Sequence, residues 1–145
     1  MPFAGVNVAA VVIAAAAGWI TGAVWYAVLA KPWMAALGKT AEQFNQEQTA
    51  FKGRPRSVLF ILAFVAELIM AWVLAGLLGH LGPGQVTWRN GLISAAFVWG
   101  GFVATTMVVN NAFAGRKSAL FVIDAGHWLA VLAVMGATIG WLGVN

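Results

Sequence analysis

Four long apolar runs constrain this chain more than any other feature. They cover residues 6–30, 57–79, 91–109 and 119–142, and each is set off by a segment rich in basic residues, glycine or proline. A bilayer's hydrocarbon core of about 30 Å is crossed by roughly 20 residues of helix. Unpaired backbone groups are intolerable in lipid, so each run is expected to be a transmembrane helix. A β-barrel does not fit, because strict alternation of polar and apolar residues is absent. The prolines Pro2, Pro32, Pro55 and Pro83 all fall outside the runs, where a missing N–H does least harm. The first run has no basic stretch before it and is too long for a signal-peptide core, so it is expected to remain as a span.

Composition agrees with this reading. Hydrophobic residues make up 62% of the 145 and charged residues 8%, too little charge for the surface of a soluble domain. The expected fold is an all-α, integral membrane bundle of four helices in one domain, 1–145. The chain has no cysteine, which excludes disulfides, thiolate nucleophiles and cysteine-ligated metals.

The basic residues give an orientation. Lys31, Lys39, Lys52, Arg54 and Arg56 lie between runs one and two, Arg116 and Lys117 between three and four, and Arg89 alone between two and three. The first and third loops share a side, which should be the cytoplasmic one. Both termini are then expected outside, in a multi-pass protein of the inner (plasma) membrane. This placement also speaks against reading the net charge of +4 as a nucleic-acid site. The lipid bilayer is the expected partner, with a homo-oligomer or a larger membrane complex as further candidates. "KGRPR" at 52–56 could touch anionic lipid.

The first loop is the only sizeable segment between runs. Thr40 and Gln43 have capping-box spacing. Phe44 and Phe51 are seven apart and share a helical face. A short amphipathic helix on the membrane surface fits, as does an ordinary connecting helix. Asn7 can cap the first span.

Lipid offers no hydrophobic drive between helices, so small residues and polar contacts must hold them together. Run one carries Ala10, Ala14, Gly18 and Gly22 at every fourth position. Run four carries Gly136 and Gly140, and run three Gly100, Gly101 and Ala104. Packing within the bundle or a dimer face both fit these ridges. Trp25, Tyr26, Trp33, Trp88 and Trp141 sit where interfacial belts are expected, whereas Trp19, Trp72, Trp99 and Trp128 lie deeper.

Ionisable residues within a span usually face the protein interior or water. Glu67, Asp124 and His127 are the candidates. At 1.5 Å per residue, Glu67 lies roughly 16 Å in from Arg56 and His127 about 15 Å in from Lys117. Asp124 lies about 10 Å in, and Asn110 and Asn111 roughly 8–9 Å in from Arg116. Asp124 and His127 share a helical face at i, i+3, as do Thr106 and Asn110 at i, i+4. One polar cluster is expected in the inner half, built by runs two, three and four, with Thr105 and Thr106 extending it toward the membrane centre. Two readings fit it: a proton- or cation-sensitive site on a solute path, or a structural clamp that fixes helix register.

Other chemistry has less support. One membrane histidine with two carboxylates lacks the spacing of a metal motif, and no metal or cofactor is expected. No nucleophile elbow or phosphate loop is present, and His80 reads as an interfacial residue. The sequence gives no positive case for an enzyme. The leading reading is a small transporter- or channel-like protein. The alternatives are an accessory or scaffold subunit of a larger membrane complex and, third, a lipid-acting enzyme with Asp124 and His127 as its acid–base pair.

Several stretches together resemble a known family. "VN" at 6–7 opens run one. "WY" at 25–26 is followed by Trp33. "GFVATTMVVNNAFAGR" covers 101–116 and "IDAGHWLAVLAVMGATIG" covers 123–140. In this order and spacing they resemble the small bacterial membrane proteins grouped as domain of unknown function 1761. Val8 departs from the pattern, since many members carry Trp there. The resemblance implies a four-span membrane domain and no activity.

Overall fold

The computed structural model describes residues 3–50 and 55–144. It is all-helical, with no strand among the described residues. The helices are α1 (Val8–Val28), α2 (Ala30–Leu37), α3 (Ala41–Ala50), α4 (Ser57–His80), α5 (Trp88–Val98), α6 (Thr105–Phe113) and α7 (Ser118–Leu142). A π-helical segment, Trp99–Ala104, joins α5 to α6, so the third span runs unbroken over Trp88–Phe113. Among the described residues four helices are therefore long and apolar enough to cross a membrane.

Caps account for most of the boundaries. Asn7 accepts from the Ala10 N–H at 3.1 Å and starts α1, two residues later than the hydropathy suggests. Thr87 accepts from the Asn90 N–H at 3.2 Å and starts the third span three residues earlier than expected. Each cap satisfies a donor that a helix N-terminus leaves free. In the first loop the Thr40 N–H donates to Gln43 Oε1 at 3.0 Å and the Gln43 N–H to Thr40 Oγ1 at 3.2 Å, a reciprocal capping box that opens α3. Lys39, just before α3, pairs with Glu47 on it. Of the two phenylalanines expected on its membrane side, Phe44 packs edge-on against Trp33, and Phe51 lies outside the described residues.

Helix α7 is central, with α1 on one side and α5 on another, and α4 packs on α1. Backbone meets backbone between α5 and α7. A Cβ on Gly91 would collide with the Gly136 carbonyl, and one on Gly140 with the backbone of Thr87 and Trp88. Only glycine permits such approach. Val11, Ala14, Ala15, Leu74, Leu78, Val131, Met135 and Ile139 fill the half of the bundle nearer the termini. Gly100 and Gly101 do not serve the close approach expected of them, since a Cβ on either meets nothing within 4 Å. They lie inside the π segment.

Candidate functional site

The polar residues gather at the other half of the bundle, nearer α2 and α3. Gly18 and Gly22 of α1 lack side chains, and the space so left receives groups from two other helices. Measured from where a Cβ would stand on Gly18, Glu67 Oε2 is 3.0 Å away, Val131 Cγ1 3.2 Å and Met135 Cε 2.6 Å. From the same point on Gly22, His127 Nε2 is 2.7 Å and Glu67 Oε1 3.8 Å away. The carboxylate of α4 and the imidazole of α7 therefore share one trough on α1. Glu67 is 3% exposed and His127 5%. Glu67 Oε2 and His127 Nδ1 are both buried without a hydrogen-bond partner among the described residues.

Asp124, one turn before His127, is held differently. Its Oδ1 accepts from the Tyr26 hydroxyl at 2.8 Å and from the Trp33 indole N–H at 3.0 Å. The carbonyls on either side of it also take indole donors: Ile123 from Trp25 at 3.1 Å and Ala125 from Trp99 at 2.7 Å. The Tyr26 ring lies 4.7 Å from the imidazole of His127, and Trp128 stands 4.6 Å from it on an edge-to-face contact. Tyr26 in turn meets Trp33, and Trp33 meets Phe44. A chain of aromatic rings thus runs from His127 out to α3.

The expected cluster is brought together only in part. Glu67 and His127 meet, and Asp124 adjoins them through Tyr26. Asp124 draws its two donors from span one and α2, rather than from spans two and three. Thr106 and Asn110 are exposed on the outer surface of the third span, and the Thr106 hydroxyl donates to the Phe102 carbonyl of its own helix. Asn111 is half-buried, with a buried amide nitrogen that has no partner among the described residues. The reason lies in the π segment. From α5 into the first residue of the π segment the inward positions are Gly91, Ala95 and Trp99, and a regular helix would continue them near 102, 106 and 110. A π turn inserts one residue, about 100° of rotation, so the less exposed positions become Val103, Met107 and Asn111.

Sequence reasoning missed Tyr26, Trp25, Trp33 and Trp99 as donors to α7, reading them as belt or packing residues. The available signal was that an indole N–H or phenol placed at membrane depth needs an acceptor. Among the described residues no three His, Asp or Glu side chains gather as a metal ion would require. A cleft of about 660 Å³ lies at the far end, between the end of α4 and the start of α5, and its walls include His80, Gln85, Asn90 and Ser94.

No curated protein and no solved structure matches the chain. A family described as "Protein of unknown function (DUF1761)" matches residues 9–140, nearly its whole length. The chain belongs to that family.

Proposed function

We propose that this member of the family is a small transporter-type membrane protein whose working group is the carboxyl of Glu67. The carrying observation is the buried, unpartnered Glu67 Oε2 in the Gly18–Gly22 trough, beside a histidine that also has an unpartnered nitrogen. An ionised carboxylate is expensive in such a place, and no lysine or arginine meets it among the described contacts. It calls for a proton or a cation as its partner, and intramembrane groups of this kind mark proton and ion paths. In this reading His127 shares the proton or cation. Asp124, fixed by Tyr26 and Trp33, holds the aromatic chain over the site, and solute binding competes with or follows protonation.

We place the protein in the inner membrane with both termini outside, because seven of its eight basic residues fall on the two loops of one side. The site then faces the cytoplasmic half. The close packing of the other half favours the rival reading, an accessory or scaffold subunit in which Glu67 and His127 only fix helix register.

Proton movement into liposomes under an imposed pH gradient decides between them. The transport reading expects flux in the wild type, lost in Glu67→Gln with the fold intact and reduced in Asp124→Asn. Flux that survives Glu67→Gln, or a wild type that moves no protons with or without added cations, would overturn it.

A further inference from the structure

The third span carries a polar face that the bundle leaves uncovered. Its most apolar 18-residue window is 6% buried, against 39% for α7. Beyond the π segment, Phe102, Thr106, Asn110 and Phe113 follow one another at intervals of four, four and three residues, which is one helical face. All four are exposed, Phe102 at 73% and Phe113 at 92%. Thr106 satisfies its hydroxyl on its own helix. The Asn110 carboxamide has no hydrogen-bond partner among the described residues. It lies one turn before α6 ends at Phe113, about 4.5 Å along the helix, on a face that no other helix among the described residues covers. Near the same face, Gly101 is exposed, with open space where a Cβ would stand. Elsewhere in the bundle the buried helical glycines each abut a neighbouring helix or a side chain.

We propose that a second copy of this chain docks on the Phe102–Thr106–Asn110–Phe113 face, with the two Asn110 carboxamides paired across a two-fold axis along the membrane normal. Three observations select a second copy. The charge bias between loops inserts every copy the same way round. Two copies related by such an axis present each residue to itself at equal depth, as an isologous interface requires. A carboxamide carries both donors and an acceptor and so complements its own kind, and the face bears no charge that would single out an acidic or basic partner. This inference is independent of the transport reading.

The natural absence of cysteine makes the test direct. Thr106→Cys, Phe113→Cys and Leu62→Cys are introduced singly into the full chain in membranes, and each is oxidised. Leu62 is the control: it is 62% exposed in the first turns of α4, which starts at Ser57, near the same end of the bundle. The expected result is a covalent homodimer at 106 and 113 and none at 62. Adding Asn110→Leu to Thr106→Cys should lower the dimerisation constant about threefold, the ratio that one average intramembrane polar contact gives, whereas Asn110→Gln should keep it. Four results would overturn the proposal: no cross-link at 106 and 113, equal cross-linking at 62, an adduct to a protein of different mass, or dimerisation indifferent to Asn110→Leu.

Discussion

The two halves of this bundle use glycine in opposite ways. Near the termini, Gly91, Gly136 and Gly140 let α5 and α7 touch backbone to backbone. Near α2 and α3, Gly18 and Gly22 make room for side chains, and those side chains are a carboxylate and an imidazole. The first use joins helices that lipid would not otherwise drive together. The second seats costly polar groups inside the bundle. A contact between backbones has no rotamer through which to yield, whereas a pocket filled by side chains can yield according to how each is held.

That contrast predicts a graded series. The largest effect belongs to Gly91→Ala. Its new methyl would overlap the Gly136 carbonyl, and no side-chain motion relieves the clash. Its loss of stability should lie at or beyond the upper end of the roughly 1–3 kcal/mol usual for overpacking, read as the unfolding free energy in mild detergent. Gly140→Ala should behave alike. If both fold like the wild type, the close approach of α5 and α7 is wrong.

Gly22→Ala comes next, at about 1–3 kcal/mol. The methyl would stand 2.7 Å from His127 Nε2, on a ring that Tyr26 and Trp128 hold from two directions. Gly18→Ala should cost less, because the nearest obstacle is the Met135 methyl, the end of a flexible chain. The order Gly22 above Gly18 is the sharper test; the reverse order would mean that the imidazole is not held by its aromatic neighbours.

How much of this the sequence contained follows from the same geometry. Hydropathy and charge were enough for four spans, and Thr40 with Gln43 marked the start of α3, because both signals are local. Depth was also legible: a fixed rise per residue put Glu67 and His127 at one level, and both lie on the Gly18–Gly22 trough. Direction around the helix axis was not. Asn110 was expected beside Asp124 yet lies on the exposed face, since the one-residue π insertion turns the helix beyond Ala104. Nothing in "WGGFVATT" announces that insertion except a glycine pair of low helix propensity. The donors to Asp124 escaped notice for a related reason: "WY" at a span's end looks the same whether it faces headgroups or a neighbouring helix.

A smaller effect separates anchoring from packing at Asp124. Tyr26→Phe removes one of two donors to Oδ1 and leaves the ring against His127. The expected loss is about 0.6 kcal/mol, the average for an intramembrane polar contact. Asp124→Asn keeps an acceptor oxygen for both donors and should lose less. A double-mutant cycle between Tyr26→Phe and Trp33→Phe would show coupling if the two donors hold Asp124 together, and simple additivity if each acts alone.

Gly100→Ala is the smallest change and carries the opposite sign. A methyl there meets nothing within 4 Å, so the overpacking that condemns Gly91→Ala is absent. Glycine inside a helix is less favourable than alanine by roughly 0.5–1 kcal/mol, and the variant should be as stable as the wild type or more stable by about that amount. A clear loss would mean that the π segment depends on glycine's freedom at this position, and with it the rotation that turns Asn110 outward. The same substitution therefore asks whether the glycines of the π segment serve packing, as Gly91, Gly136 and Gly140 do, or serve the change of register that exposes the polar face of the third span.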